Sequence, residues 1–212
     1  EAGLGPIILV GQEQRIQAEL KGHTVSPDDL SIIHAPEIIS MSDAPGRAAR
    51  SKRNSSMHVG FQAVQDGNAI AFVSAGNSGA MMATGLLTVK RIPPCDRPAV
   101  AAVLPTAHGP TVLLDVGANV ECRAAHLMQF ALMGSAFAQA TLQHDRPSIG
   151  LLANGSEPSK GTDALREAHR LLNQLNLNYR GFIEGNDIPS GVCDVIVTDG
   201  LVGNVALKLS EA

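Results

Sequence analysis

The strongest constraint on this fold is a recurrence of short, continuous aliphatic runs separated by segments with helical spacing. The runs fall at 7–10, 31–34, 69–73, 99–104, 111–115, 148–152, 179–183 and 195–198. Within each run apolar residues follow one another instead of alternating, which suits strands covered by helices on both faces. Between the runs, 48–64 and 163–175 carry charge on one side. Segment 124–142 is apolar round most of its circumference, apart from a stripe through His126, Gln129 and Gln139. These patterns predict crossover helices, the last one buried between layers or at a subunit contact. The chain is therefore expected to be α/β with a mainly parallel sheet. Pro105-Thr106-Ala107-His108-Gly109-Pro110 is a short turn-rich link between two runs and predicts a local antiparallel hairpin.

Composition narrows the function. The 212 residues carry 16 Lys+Arg against 20 Asp+Glu, a formal charge of −4, with one Tyr, five Phe and no Trp. A single-strand nucleic-acid binder needs a positive groove and stacking rings, so no nucleic-acid partner is expected. An apolar content of 44% with only 17% charged residues argues against disorder. Residues 67–89 are uncharged but are interrupted by Ser74-Ala75-Gly76-Asn77-Ser78-Gly79, which does not suit a lipid-spanning centre. With no basic-then-apolar leader, a cytoplasmic location is expected. Cys95, Cys122 and Cys193 form no C-x-x-C or Cys/His spacing, and His58, His108 and His126 are scattered. We expect no metal site and no cofactor, and read the cysteines as small apolar fillers. The chain opens at Glu1 without Met and stops at Ala212 inside a helical pattern, as a fragment or processed form would.

Three run ends share one grammar. After 69–73 comes Ser74-Ala75-Gly76-Asn77-Ser78-Gly79-Ala80; after 111–114, Asp115-Val116-Gly117-Ala118-Asn119; after 195–197, Thr198-Asp199-Gly200-Leu201-Val202-Gly203-Asn204. Each places glycine, which allows close backbone approach, beside a residue able to cap the next helix. In a parallel sheet all three would lie on one edge, where open α/β folds bind ligands and where free amides favour an anion such as phosphate. The simpler reading is that βα turns require Gly and Asn anyway.

Common phosphate fingerprints fit badly. No G-x-G-x-x-G follows a strand, and no G-x-S-x-G elbow occurs. Gly155-Ser156-Glu157-Pro158-Ser159-Lys160-Gly161-Thr162 holds P-loop ingredients in the wrong order, yet puts a lysine just past the run 148–152.

At these places the sequence resembles the bacterial phosphate acyltransferases of the PlsX type. The resemblance is carried, in order, by Ser55-Ser56-Met57, Val73 to Ala80, Asp96-Arg97-Pro98-Ala99, Leu114 to Val120, Gln129 to Ser135, Lys160-Gly161, Asp199-Gly200 and Gly203-Asn204. It implies a three-layer α/β/α fold similar to phosphate acetyltransferases and isocitrate/isopropylmalate dehydrogenases. It also implies transfer of a fatty acyl group from acyl-[acyl carrier protein] to inorganic phosphate, a homodimer, and peripheral membrane contact in the full-length protein. Residues 1–212 would form one domain, incomplete at both ends. The family pattern has Thr at Ser78, and an aromatic and a Thr at Leu201 and Val202, so a polar contact is lost at Val202.

On that resemblance, Lys160 is expected to neutralise phosphate, with Asn77, Ser78 and Asn119 as side-chain donors. The amides around Gly76 to Gly79 and Gly117 to Asn119 would bind phosphate and oxyanion. Ser74, Asp115, Asp199, Gly200 and Asn204 complete the substrate set; the aspartates either orient amides, pair with Arg97, or cap helices. Arg47, Arg50, Lys52 and Arg53 put four cations in seven residues, a docking patch for an acidic carrier protein or else a solvated face. Competing expectations are a short-chain phosphate acetyl- or butyryltransferase using CoA thioesters, an NAD-dependent decarboxylating dehydrogenase, and a non-catalytic fragment.

Overall fold

In the computed structural model, which describes residues 5–23 and 30–211, most of the aliphatic runs become strands. The chain divides into two compact units, Glu1–Ile92 and Pro93–Ala212.

In the first unit, β1 (Ile7–Gly11) pairs in parallel with β2 (Leu30–His34), and α1 (Glu13–Leu20) packs on both. Helices α2 (Pro45–Ser51) and α3 (Ser56–Gln65) pack on α4 (Ser78–Thr88). The expected helix 48–64 is two helices. Lys52 leaves helical geometry at φ −94° and ψ 67°, and Ser55 starts α3 by accepting a hydrogen bond from the His58 amide. The expected strand 69–73 does not form. The amides of Asn68 and Ala69 both close α3 on the Ala63 carbonyl, and no described strand lies alongside to supply a ladder. Phe72 instead tilts against Phe61 and covers Gly60, where a Cβ would lie 2.2 Å from its ring. Ile70 and Val73 face outward.

The second unit is built on a five-stranded sheet in the order β3-β4-β7-β5-β6. Its strands are β3 (Ala101–Thr106), β4 (Gly109–Leu114), β5 (Ser148–Leu152), β6 (Asn178–Ile183) and β7 (Val195–Val197). β3 and β4 form the expected antiparallel hairpin; every other pairing is parallel. Because side chains alternate across a strand, Val112, Ile149, Leu151, Val195 and Val197 project to one face, which α5 (Ala124–Leu142) and α6 (Asp163–Leu172) cover. Leu113, Leu152, Ile183 and Ile196 project to the other, against Ala206 and Leu207 of α7 (Gly200–Ser210). The result is a three-layer α/β/α fold with a mostly parallel sheet, as the aliphatic runs predict. Gly134 lets α5 approach the sheet: a Cβ there would sit 2.5 Å from Val195 Cγ1. One part of the polar stripe expected on α5 is misplaced, since His126 is buried.

Phe130 on α5 is fully buried among these strands. Phe130→Ala is expected to cost about 3–5 kcal/mol through lost apolar contact and the cavity left behind, measured by urea denaturation.

Candidate active site

Two of the three glycine-rich junctions meet in the second unit. β4 and β7 are parallel neighbours, so the turns that follow them emerge at the same carboxyl edge. The Asp115 side chain is fully buried at the start of the first turn. Its Oδ1 accepts from the amides of Val100 (3.0 Å), Gly117 (3.2 Å) and Ala118 (3.0 Å); its Oδ2 accepts from the Asn119 amide (2.7 Å) and Asn119 Nδ2 (2.8 Å). The charge is thus balanced by oriented donors, not by a cation. The expected pairing with Arg97 is absent from the described ion pairs. The amides of 117–119 face inward to this carboxylate and do not face a ligand as the sequence reading expected. Asn119 Nδ2 also donates to the Pro98 carbonyl at 2.8 Å, so both its hydrogens are engaged.

The second turn locks onto the first. Asp199 caps α7, accepting from the Leu201 and Val202 amides at 2.9 Å, which is the capping role open to it from sequence. The Gly200 amide donates to the Asn119 carbonyl at 2.7 Å. A Cβ at Gly200 would lie 2.8 Å from the Asn119 nitrogen, and one at Gly203 only 1.8 Å from the Asp115 carbonyl oxygen. These glycines are there because two backbones touch. Gly117, at φ +136°, lies beside the exposed Asn204, so the outer surface of the paired turns is formed by Gly117 and Asn204.

Lys160 belongs to the turn between β5 and α6, also at a carboxyl end. Its side chain is exposed and its stem lies over Gly155, where a Cβ would meet Lys160 Cγ at 2.7 Å. Asn154 Oδ1 accepts from the Gly161 amide at 2.9 Å, and Arg166 bonds the Gly161 carbonyl, so this loop is held at both ends.

The third junction lies in the first unit and follows no strand. Asn77 caps α4 by accepting from the Ala80 amide at 3.0 Å. Its Nδ2 points toward the carbonyls of Ser40, Met41 and Asp43 at 3.2–3.4 Å. Asn77 is buried and committed to the backbone, whereas Ser78 is exposed on the first turn of α4. Ser74 Oγ accepts from the Gly76 amide at 3.2 Å, and Gly79 sits close under Pro45. In the same unit a concavity of about 640 Å³ is lined by Arg53, His58, Gln62, Asn68, Leu87 and Lys90 among others, away from the glycine-rich turn.

The basic cluster is divided between structure and surface. Lys52 pairs with Asp43 at 2.6 Å and donates to the Ile38 carbonyl at 2.8 Å; the bond from Lys52 holds the Asp43 carboxyl below its ordinary range. Arg47, Arg50 and Arg53 are exposed.

A polar group at the start of α5 escaped the sequence reading, because its members are far apart in type and spacing. His126 is 1% exposed, and burial first, then the charges of Arg97 and Arg123, push its pKa below the ordinary histidine value. Asp96 is tied to Gln129 through its amide (2.8 Å) and its carboxylate (3.3 Å). Nearby, burial and then the charges of Asp115 and Asp199 push the Cys122 thiol up to about 11, so it stays protonated at neutral pH and is a poor nucleophile. Among the described residues no group of three or more His, Cys, Asp or Glu could hold a metal ion, and no helix is long and apolar enough to cross a membrane.

This architecture is shared with solved structures of low sequence identity. EutD phosphotransacetylase from Staphylococcus aureus superposes with a TM-score of 0.60 at 15% identity, covering 97% of this chain and 82% of that chain. A putative 4-hydroxythreonine-4-phosphate dehydrogenase from Salmonella typhimurium does so with 0.60 at 14% identity, covering 99% and 77%. The fold is therefore that of the phosphotransacetylases and related dehydrogenases. Within that class, the profile of the family described as "Fatty acid synthesis protein" matches residues 3–212, and the chain belongs to this family. It is 53% identical over 206 residues to the "Phosphate acyltransferase" of Trichlorobacter lovleyi and 48% identical over 206 residues to that of Geobacter sulfurreducens. In both cases it covers 97% of this chain and spans about 60% of the relative's length.

Gly203→Ala puts a methyl group against the Asp115 carbonyl, so α7 must move off the 115–119 turn. We expect a fall in melting temperature together with faster hydrogen exchange at the Gly117 to Asn119 amides, both read on the purified chain; Gly46→Ala, where a Cβ meets nothing within 4 Å, is the control.

Proposed function

We propose that the protein of which this chain is part transfers a fatty acyl group from acyl-[acyl carrier protein] to inorganic phosphate, giving acyl-phosphate for phospholipid synthesis. The observation that carries the reading is the 53% identity with a phosphate acyltransferase over 206 residues, a stretch that includes every glycine-rich turn described above.

Phosphate attacks the thioester carbonyl carbon; a tetrahedral oxyanion forms, the C–S bond breaks, and the thiolate leaves and takes a proton from solvent. A thiol of pKa about 8.5 is a tolerable leaving group, so positioning and charge stabilisation outweigh acid-base help. No enzyme nucleophile is needed, in keeping with the protonated state of Cys122. Lys160 supplies the mobile cation that neutralises phosphate. Asn204 and the Gly117 surface contact substrate, Asp199 and Gly200 hold that surface in place, and Asp115 with Asn119 acts by positioning. In the first unit, the Ser78 hydroxyl and the amides of Ser78 and Gly79, which have no intrahelical acceptor in the first turn, are the donors open to an anion. Asn77, Ser74 and Gly76 shape that turn. The exposed Arg47, Arg50 and Arg53 form the docking patch for the acidic carrier, with Lys52 securing the loop beneath it. A homodimer and peripheral membrane contact belong to the same proposal for the full-length protein.

Phosphate with long-chain acyl carrier protein should yield acyl-phosphate, trapped as hydroxamate by hydroxylamine, in the full-length enzyme. Lys160→Met should lower turnover by about 100-fold or more, as expected for loss of a charge-assisted contact to the reacting group. Product formed from short-chain CoA thioesters alone would transfer the reading to a phosphate acetyl- or butyryltransferase.

Reversing Arg47 and Arg50 to Glu should raise KM for the acylated carrier several-fold at low salt and leave KM for phosphate unchanged. The effect should shrink as ionic strength approaches about 0.5 M, because an exposed patch acts through screened charge. Steady-state kinetics across a salt series measure this.

A further inference from the structure

At the start of α5 both nitrogens of one buried imidazole face donors of Arg123. The Arg123 amide donates to His126 Nδ1 at 3.2 Å, so Nδ1 is the unprotonated nitrogen of the buried ring. A neutral imidazole has one acceptor and one N–H, which places the hydrogen on Nε2. Yet Nε2 faces Arg123 Nη2 at 3.2 Å, and a guanidinium can only donate. Both ring nitrogens thus face donors, and one of the two contacts cannot be a hydrogen bond. A second ring proton would not help, since it would remove the acceptor at Nδ1, and burial with two nearby guanidiniums already disfavours the charged form.

The second cation is Arg97. It acts on His126 electrostatically, and its Nη1 reaches only the Glu121 carbonyl, at 3.4 Å. Neither Arg97 nor Arg123 appears in a described ion pair, and both are exposed. Asp96, the neighbouring carboxylate, accepts from Gln129 at 3.3 Å, and its charge acts on His126 in the opposite sense to the guanidiniums. Among the described residues, what remains is a buried ring N–H that faces a donor, two guanidiniums in no ion pair, and the positive end of a 19-residue helix. Pro98, next to Arg97, accepts from Asn119, so the cluster adjoins the paired turns of β4 and β7.

We propose that Arg97, Arg123 and His126 Nε2–H form a binding site for a phosphate group, with Arg123 turning from the imidazole to the anion. The group supplies acceptors only, and its tetrahedral oxygens can take one hydrogen bond from each donor while the guanidiniums balance its charge. This rests on the acyltransferase reading above, which offers two sources of that chemistry: inorganic phosphate itself, or the phosphodiester of the carrier's pantetheine arm. In either case His126 Nε2–H touches the anion and reports occupancy.

The test needs no turnover. The chain, labelled with ¹⁵N-histidine, is titrated at fixed pH with inorganic phosphate, 4′-phosphopantetheine and pantetheine, while long-range ¹H–¹⁵N correlation follows the two His126 nitrogens. Saturable movement of Nε2, with Nδ1 remaining the unprotonated nitrogen, is expected with one or both phosphorylated probes and not with pantetheine; the tighter probe identifies the source. Arg123→Gln and Arg97→Gln should each weaken binding about tenfold or more, as for loss of a charge-assisted hydrogen bond, with Arg123→Lys intermediate. Both arginines are exposed, and unchanged melting temperatures confirm folded variants. The proposal is overturned by an unmoved His126 at tens of millimolar of both phosphorylated probes, by equal movement with pantetheine, or by binding that persists in the double Gln variant. Phosphate binding without acyl-phosphate formation would count against the acyltransferase reading and leave this site standing.

Discussion

Five hydrogen bonds converge on the buried carboxylate of Asp115, and the carboxyl edge of the second unit is arranged around them. A lone carboxylate removed from water is costly, and here oriented N–H groups offset that cost in place of a counterion. The arrangement works in both directions. The amides of Gly117, Ala118 and Asn119 give the charge a home, and the charge bends residues 115–119 into the one turn in which those amides converge. Asn119 extends the grip to Pro98, and its carbonyl receives Gly200 at the head of α7. One buried side chain therefore fixes the approach to β3, the turn after β4 and the helix after β7.

The parallel part of the fold was legible because its strands are covered on both faces and so must be aliphatic throughout. Runs 148–152 and 195–198 and helix 124–142 correspond closely to β5, β7 and α5. Run 69–73 reads the same way, yet pattern alone cannot say whether a neighbour is at hand; without one among the described strands, Phe72 packs on Phe61 and no ladder forms. Helix 48–64 misled for a local reason: Ser55 looks like any polar residue in the stripe until its hydroxyl is seen capping His58.

The glycine-rich turns were legible as turns, and less so by the partners of their hydrogen bonds. Glycine at 200 and 203 marked a close backbone approach, whose partner is another turn of the same chain, whereas Gly117 meets only the Asn204 side chain, at 3.7 Å. Asn77 and Asn119 carry the donors a phosphate would want, and spend them on carbonyls at 40–43 and on Pro98 and Asp115. Direction of a hydrogen is a three-dimensional fact with no signature in spacing. The same holds at His126, whose place in a polar stripe gave no hint that its ring is buried between donors.

The contact between α7 and the 115–119 turn also decides where this family member can vary. With Gly203 touching the Asp115 carbonyl and Gly200 touching Asn119, neither glycine can accept even a methyl group, and the buried side of the helix is closed to change. Leu201, Val202 and Asn204 lie on the same first turns with their side chains outward and exposed. Differences in what this edge of the sheet touches can thus be written at these three outward positions, over glycines fixed by backbone contact, without disturbing the carboxylate beneath.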